Sequence, residues 1–230
     1  MNQHFTYFLV LFSSVACPLA LSFDRKVGFY KKWRFLFPAT VLPALLYILW
    51  DIYFTSKGVW SFNDKYITGI KLFNLPVEEV TFFLIIPYCC IFIYECIRIY
   101  FPNCKNKRAG DSILKSLAIA LMIAGIIFHD KYYTSWTFMF NAVLIGIIYL
   151  FRSYFKEFDP GSFLVAYLVI LIPFLIVNGF LTALPVVLYN NAENTGIRIY
   201  TIPFEDVFYG MLLVLLNIVI YEKLKYKSKS

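Results

Sequence analysis

Charge is what this 230-residue sequence has least of. Asp, Glu, Lys and Arg together make up 15%, against roughly a quarter in an ordinary soluble domain. Histidine is scarcer still: His4 and His129 are too few for most histidine-based metal chemistry. The five cysteines, Cys17, Cys89, Cys90, Cys96 and Cys104, never take CxxC spacing, and the adjacent pair sits inside an apolar run. They read as small apolar packers, which argues against a disulfide framework or a cysteine metal site. None of the ten glycines stands two residues from another, so the GxG of a nucleotide-binding βαβ unit is missing. No DDxxD-like run exists to hold a prenyl diphosphate, and residues 203–221 contain no lysine for a retinal Schiff base.

What is abundant is apolar surface. The chain is 60% hydrophobic and 20% aromatic, with a mean hydropathy of +0.69. Windows of about 20 apolar residues recur, the length that crosses a bilayer as a helix. The expected fold is therefore all-α: a polytopic membrane bundle with segments at 5–22, 33–54, 76–98, 113–128, 134–151, 162–184 and 203–221. No basic residue precedes the first segment and the basic loop DRKVGFYKKWR follows it, a pattern expected of a retained span rather than a cleaved leader.

Alternating loops assign the cations to sides. Lys57, Lys65, Lys71, Lys131 and Arg198 share the side of the N-terminus. The other sixteen of 21, among them Arg25, Lys26, Lys105, Lys107, Arg108 and the tail lysines Lys223, Lys225, Lys227 and Lys229, lie opposite. The positive-inside rule then expects the N-terminus outside and the C-terminus in the cytoplasm, as for a bacterial inner-membrane protein. The net charge of +7 is thus accounted for by membrane orientation, with no nucleic acid as partner.

The chain also repeats itself. Residues 50–95 align without a gap on 177–222 at a constant offset of 127, and much of what matches is polar. Asn63/Asn190, Thr68/Thr195, Gly69/Gly196, Pro76/Pro203, Glu78/Glu205 and Glu95/Glu222 are identical; Asp51/Asn178 and Glu79/Asp206 are near matches. A three-span unit, an extra span and a second three-span unit follow: 1–104, a linker with span four at 105–133, and 134–230. The extra span makes the repeats parallel, about an axis along the membrane normal. Both P-x-E-[ED] motifs then open spans three and seven at one membrane face.

A single such motif is ordinary helix punctuation, since proline suits the first turn and acids there favour the helix dipole. Two in register, each with its approach loop retained, point to a site. Ionisable groups at membrane depth are costly and usually face a cavity. Glu78, Glu79, Glu205 and Asp206 can converge there as proton donor and acceptor, with Glu78 and Glu205 the principal acids and Glu79 and Asp206 their partners. The rings of Phe82, Phe83, Phe208 and Tyr209 are placed to stabilise a cation. Asp51, Asn63, Asn190 and Arg198 lie near the same face, where Arg198 can pair with an acid. Glu95 and Glu222, at the opposite ends beside basic loops, suit surface ion pairs, and His129-Asp130 reads as a loop.

These strings resemble the lycopene cyclase domain family of small, non-flavin carotenoid cyclases, in its fused tandem form. The matching pieces are LSFDRKV (21–27), WDIYFTSKGVWSFN (50–63), LPVEE (75–79), YNNAENTGIRI (189–199) and TIPFEDVFYG (201–210). The resemblance implies cyclisation of lycopene ψ-ends to β-ionone rings, through γ-carotene to β-carotene. An acid protonates C2, the C5–C6 double bond attacks the C1 cation, and loss of the C6 proton sets the ring. Product and substrate are isomers, so no net redox, cofactor or metal is implied. Lycopene or a related carotenoid is the implied substrate, the lipid bilayer the surroundings, and other carotenoid biosynthetic enzymes candidate partners. The missing GxG sets the chain apart from the flavoprotein lycopene cyclases. Which acid gives the proton, whether one or both ends react, β against ε product and C40 against C50 substrate stay open. A proton-coupled small-molecule transporter is the rival that parallel repeats and membrane-edge acids also allow, although the spans lack paired Gly/Pro-broken helices.

Overall fold

The computed structural model describes residues 3–102 and 107–227. Cys104, Lys105, Lys229 and the expected boundary between 104 and 105 lie outside the described residues. Among the described residues, seven helices are long and apolar enough to cross a membrane, the first together with the 3-10 turn that leads into it (Gln3–Leu21): α1 (Thr6–Leu21), α2 (Trp33–Ser56), α3 (Val77–Tyr100), α4 (Lys107–Ile127), α5 (Tyr132–Leu150), α6 (Pro160–Ala183) and α7 (Glu205–Lys227). The all-α membrane bundle expected from hydropathy is what forms. The fourth helix begins six residues earlier than the apolar run, because its first turns carry Lys107, Arg108 and Asp111, which hydropathy discounts. Residues 128–130 form the expected turn between α4 and α5.

Packing follows the repeat. Helix α1 packs on α3 as α5 packs on α7, and α2 packs on α7 as α6 packs on α3. Helix α4, which has no counterpart, lies outside this arrangement against α5 and α6. Gly110 lets it approach closely, since a Cβ there would stand 2.5 Å from the Gly161 nitrogen.

The long approach loops carry short strands at the acid face: β1 (Trp60–Phe62), β2 (Lys71–Leu72), β3 (Leu75–Pro76), β4 (Val187–Tyr189), β5 (Arg198–Ile199) and β6 (Ile202–Pro203). Strands β2–β3 and β5–β6 are tight hairpins leading into α3 and α7. The repeat extends to backbone detail. Gly69 and Gly196 have φ of +84° and +76°, a region that disfavours any Cβ, which explains why glycine recurs there. Phe73 and Tyr200 take matching left-handed turns, φ 56° and 59°.

Strands β1 and β4 pair antiparallel and join the two halves. Ser61 lies opposite Leu188, its own repeat mate, so the pseudo-twofold axis passes through this pair. The flanking bonds obey the same symmetry: the Asn63 amide donates to the Val186 carbonyl and the Asn190 amide to the Val59 carbonyl, each at 2.9 Å. Successive strand residues face opposite sides. Trp60, Phe62, Val187 and Tyr189 accordingly point down into the bundle and roof a chamber.

At the opposite end, Glu95 is paired with Lys32 (2.5 Å) and Lys225, and accepts from the Tyr221 hydroxyl at 3.0 Å; Glu222 pairs with Arg98. The pairing expected of Glu95 and Glu222 is present, with both carboxylates buried rather than at the surface.

Candidate active site

Adjacent residues on a helix point about 100° apart, and the two acids of each motif therefore go different ways. Glu78, in the first turn of α3, turns back toward its own approach loop, where Oε1 accepts from the Thr68 amide at 2.7 Å. Glu205 does the same in α7, accepting from the Thr195 amide at 2.8 Å. It also accepts from the Thr134 hydroxyl at 2.6 Å. Both carboxyls are fully buried, and neither lines the chamber.

Glu79 and Asp206 face inward. They line a chamber of about 60 Å³ between the halves, together with Asp51 from the last turns of α2. Each is held by tyrosine. The Tyr7 hydroxyl donates to Glu79 Oε2. Tyr133 and Tyr189 donate to the two oxygens of Asp206, at 2.5 and 3.0 Å. Tyr209 donates to Asp51 Oδ1 at 2.6 Å, and Asp51 is a direct neighbour of Glu79. Burial pushes the Tyr189 hydroxyl well above its ordinary value and the Asp206 charge adds to this, so Tyr189 keeps the proton it donates.

The halves are related but not equal. Asp51 is a carboxylic acid where its mate, Asn178, is an amide, so a second carboxyl stands beside Glu79 and none beside Asp206 in the matching position. Phe82 and Tyr209 are repeat mates and both line the chamber. Phe83 packs instead on Tyr47, with ring centroids 5.4 Å apart, and Phe208 packs on Phe138 at 5.1 Å, away from the acids. Asn63 and Asn190 close turns: each side-chain oxygen accepts an amide two residues on, from Lys65 (3.1 Å) and Ala192 (3.0 Å). The pairing expected of Arg198 with an acid is not formed. Its guanidinium stands over the Tyr189 ring and donates to Asn191 and to the Thr201 carbonyl, because these acceptors lie within its own loop region and satisfy it there. Among the described residues no ion pair includes Arg198.

Tyr7, Tyr133 and Tyr189 escape the sequence reading. Tyr7 and Tyr133 stand 126 residues apart, one short of the repeat offset, so a gap-free alignment passes over them. Tyr189 lies within the retained string YNNAENTGIRI but has Phe62 as its mate, and only the strand pairing brings it over Asp206. No group of three or more metal-ligating side chains is found among the described residues.

The family model for lycopene cyclase matches residues 4–97 and 130–224, one segment for each half and with α4 between them. The chain belongs to the lycopene cyclase family. A bifunctional lycopene cyclase/phytoene synthase of Leptosphaeria maculans is 40% identical over 108 residues, 44% of this chain and 18% of that protein. A lycopene beta-cyclase of Halobacterium salinarum is 34% identical over 83 residues, 35% of each chain. A second bifunctional lycopene cyclase/phytoene synthase, from Aspergillus niger, is 29% identical over 90 residues, 36% of this chain and 16% of that protein. These alignments span about a third or less of the relatives' own length. No solved structure matches.

Proposed function

We propose that the protein is a lycopene β-cyclase that closes ψ-ends by proton transfer between Glu79 and Asp206. The observation that carries this reading is the pair of repeat-related acids, buried beneath the β1–β4 roof and facing one chamber lined by aromatic rings. A ψ-end in the chamber takes a proton on C2, which leaves a tertiary cation at C1. The C5–C6 double bond attacks it and forms the C1–C6 bond. The cation then at C5 is quenched by loss of the C6 proton, giving the β-ring double bond. One proton enters and one leaves, so the product is an isomer. Applied to both ends, the steps lead from lycopene through γ-carotene to β-carotene.

Hydrogen bonding supports a division of labour. Two hydroxyl donors satisfy Asp206 as an acceptor, which suits the base that removes the C6 proton. Glu79 faces Asp51, and two adjacent carboxyls are comfortable only with a proton shared between them, which makes the Asp51–Glu79 pair suited to be the donor. Phe82, Trp60 and Tyr209 turn ring surface toward the chamber, where a passing cation gains from their quadrupoles. The β1–β4 roof stands between such a cation and bulk water, its commonest competing nucleophile. Glu78 and Glu205 hold the loops that set these groups in place.

The bias of Lys and Arg supports an acid face outside and a C-terminus in the cytoplasm of a bacterial inner membrane. The two repeats are taken as 1–104 and 134–230, joined by 105–133. Expression in a lycopene-producing bacterial host, with pigments separated by chromatography, tests the activity. Conversion to β-carotene is expected; a well-expressed chain that leaves only lycopene contradicts it and favours a carrier.

A further inference from the structure

The repeat creates two clefts on opposite flanks of the bundle, one between α1, α3 and α6 and the other between α2, α5 and α7. Seven of their lining positions correspond through the repeat, among them Cys17 with Val143, Phe174 with Tyr47, and Val177 with Trp50. Their volumes are nearly equal, about 300 and 280 Å³. Their relation to the acid chamber is not. The first cleft shares Phe82, Ile86, Cys90, Ile170, Phe174 and Asn178 with the chamber, so the two adjoin across these side chains. The second shares no lining residue with it.

The cause is a set of aromatic exchanges. Trp50 fills the throat of the second cleft, its ring 5.1 Å from Phe140, 5.2 Å from Tyr209 and 5.5 Å from Tyr47. Tyr47 is fixed in turn by donating to the Tyr209 carbonyl at 3.0 Å and by packing on Phe83. On the other flank Val177 replaces Trp50, and Gly210 replaces Phe83. Gly210 leaves room for Phe174, whose ring stands 2.8 Å from where a Cβ would be. The outer rim of the open cleft, at Cys17 and Pro173, is exposed on the flank of two membrane-spanning helices.

We propose that the carotenoid reaches the acids sideways from the bilayer through the α1–α3–α6 cleft alone, and that Trp50 makes its twin a closed copy. This rests on the reading of the chamber as a cyclase site. A chamber of about 60 Å³ that adjoins an apolar cleft of about 300 Å³ suits a chain end in the first and the polyene in the second, with the shared side chains swinging aside to admit it. One end reacts at a time, and the molecule must leave and turn before the other can.

Matched substitutions test this. Val177→Trp copies the plug into the open cleft, and Cys17→Trp fills its mouth from an exposed position in case the first variant folds poorly. Val143→Trp fills the equivalent mouth on the closed side. In membranes supplied with lycopene, the first two are expected to lower cyclised product about tenfold or more, a barrier of roughly 1.4 kcal/mol, while Val143→Trp stays near wild type. Equal losses on the two sides, or none on either, overturn the proposal. A second readout does not depend on turnover. Lycopene is expected to slow, several-fold, the reaction of Cys17 with a bilayer-soluble maleimide, and not that of Val143→Cys in a Cys17→Ala background. Protection at both positions, or at neither because lipid tails alone occupy the clefts, contradicts it. A wild-type chain that protects Cys17 but makes no ring removes the cyclase reading and leaves the access route standing.

Discussion

Glu78 and Glu79 differ by one position, and that single step separates a loop anchor from a chamber acid. If proton transfer runs through the inward pair, Glu79→Gln and Asp206→Asn each lose about 10²–10⁴-fold in ring formation, the usual worth of general acid–base catalysis. Glu78→Gln and Glu205→Gln keep an oxygen for the loop amide, so activity per folded molecule stays within roughly tenfold of wild type, the scale of one lost charge-assisted bond. Comparison of pigment yield with membrane level of each variant checks both. Tyr7→Phe removes the hydroxyl that donates to Glu79. It is expected to slow turnover about tenfold, the equivalent of roughly 1.4 kcal/mol, with the protein level unchanged. The sequence pointed at all four acids because the motif recurs. Glu78 and Glu205 rank first by sequence because they are the identical pair, where Glu79/Asp206 is only a near match. Which acid faces inward is set by the phase of the helix relative to its neighbours, and no pattern within the motif encodes it.

At the scale of elements, the seven spans were legible because each must satisfy its backbone internally and present apolar side chains to lipid. The start of α4 was not, since its polar first turns carry no such signal. Nor were the six short strands: two or three residues are too few for alternation to show. Yet the β1–β4 ribbon closes the chamber, and the hairpins aim α3 and α7. Gly69 and Gly196 carry those hairpins in the left-handed region, where a Cβ costs roughly 1–2 kcal/mol. Gly69→Ala and Gly196→Ala should each lower the thermal midpoint in detergent, and the double variant should lose about the sum of the two. An unchanged midpoint would mean the loops tolerate another geometry.

Across the whole molecule, duplication sets the frame and divergence assigns the work. Parallel repeats bring one acid from each half to a shared axis, which the repeat together with its extra span already implied. What sequence symmetry concealed is the departure from it: Asp51 against Asn178, Trp50 against Val177, Phe83 against Gly210. These exchanges look like routine drift along an alignment. In space they place a second carboxyl on one side and an opening on the other. The orientation has its own check, because Ser61 points outward from the roof. Ser61→Cys should react with an impermeant thiol reagent from the outer side of the inner membrane and be silent from the cytoplasmic side. The central claim is met most directly by chromatography of the pigments from a lycopene-producing host expressing either the wild type or Glu79→Gln at equal membrane levels. β-Carotene from the first and lycopene alone from the second is the expected result; cyclised product from both, or from neither, would contradict it.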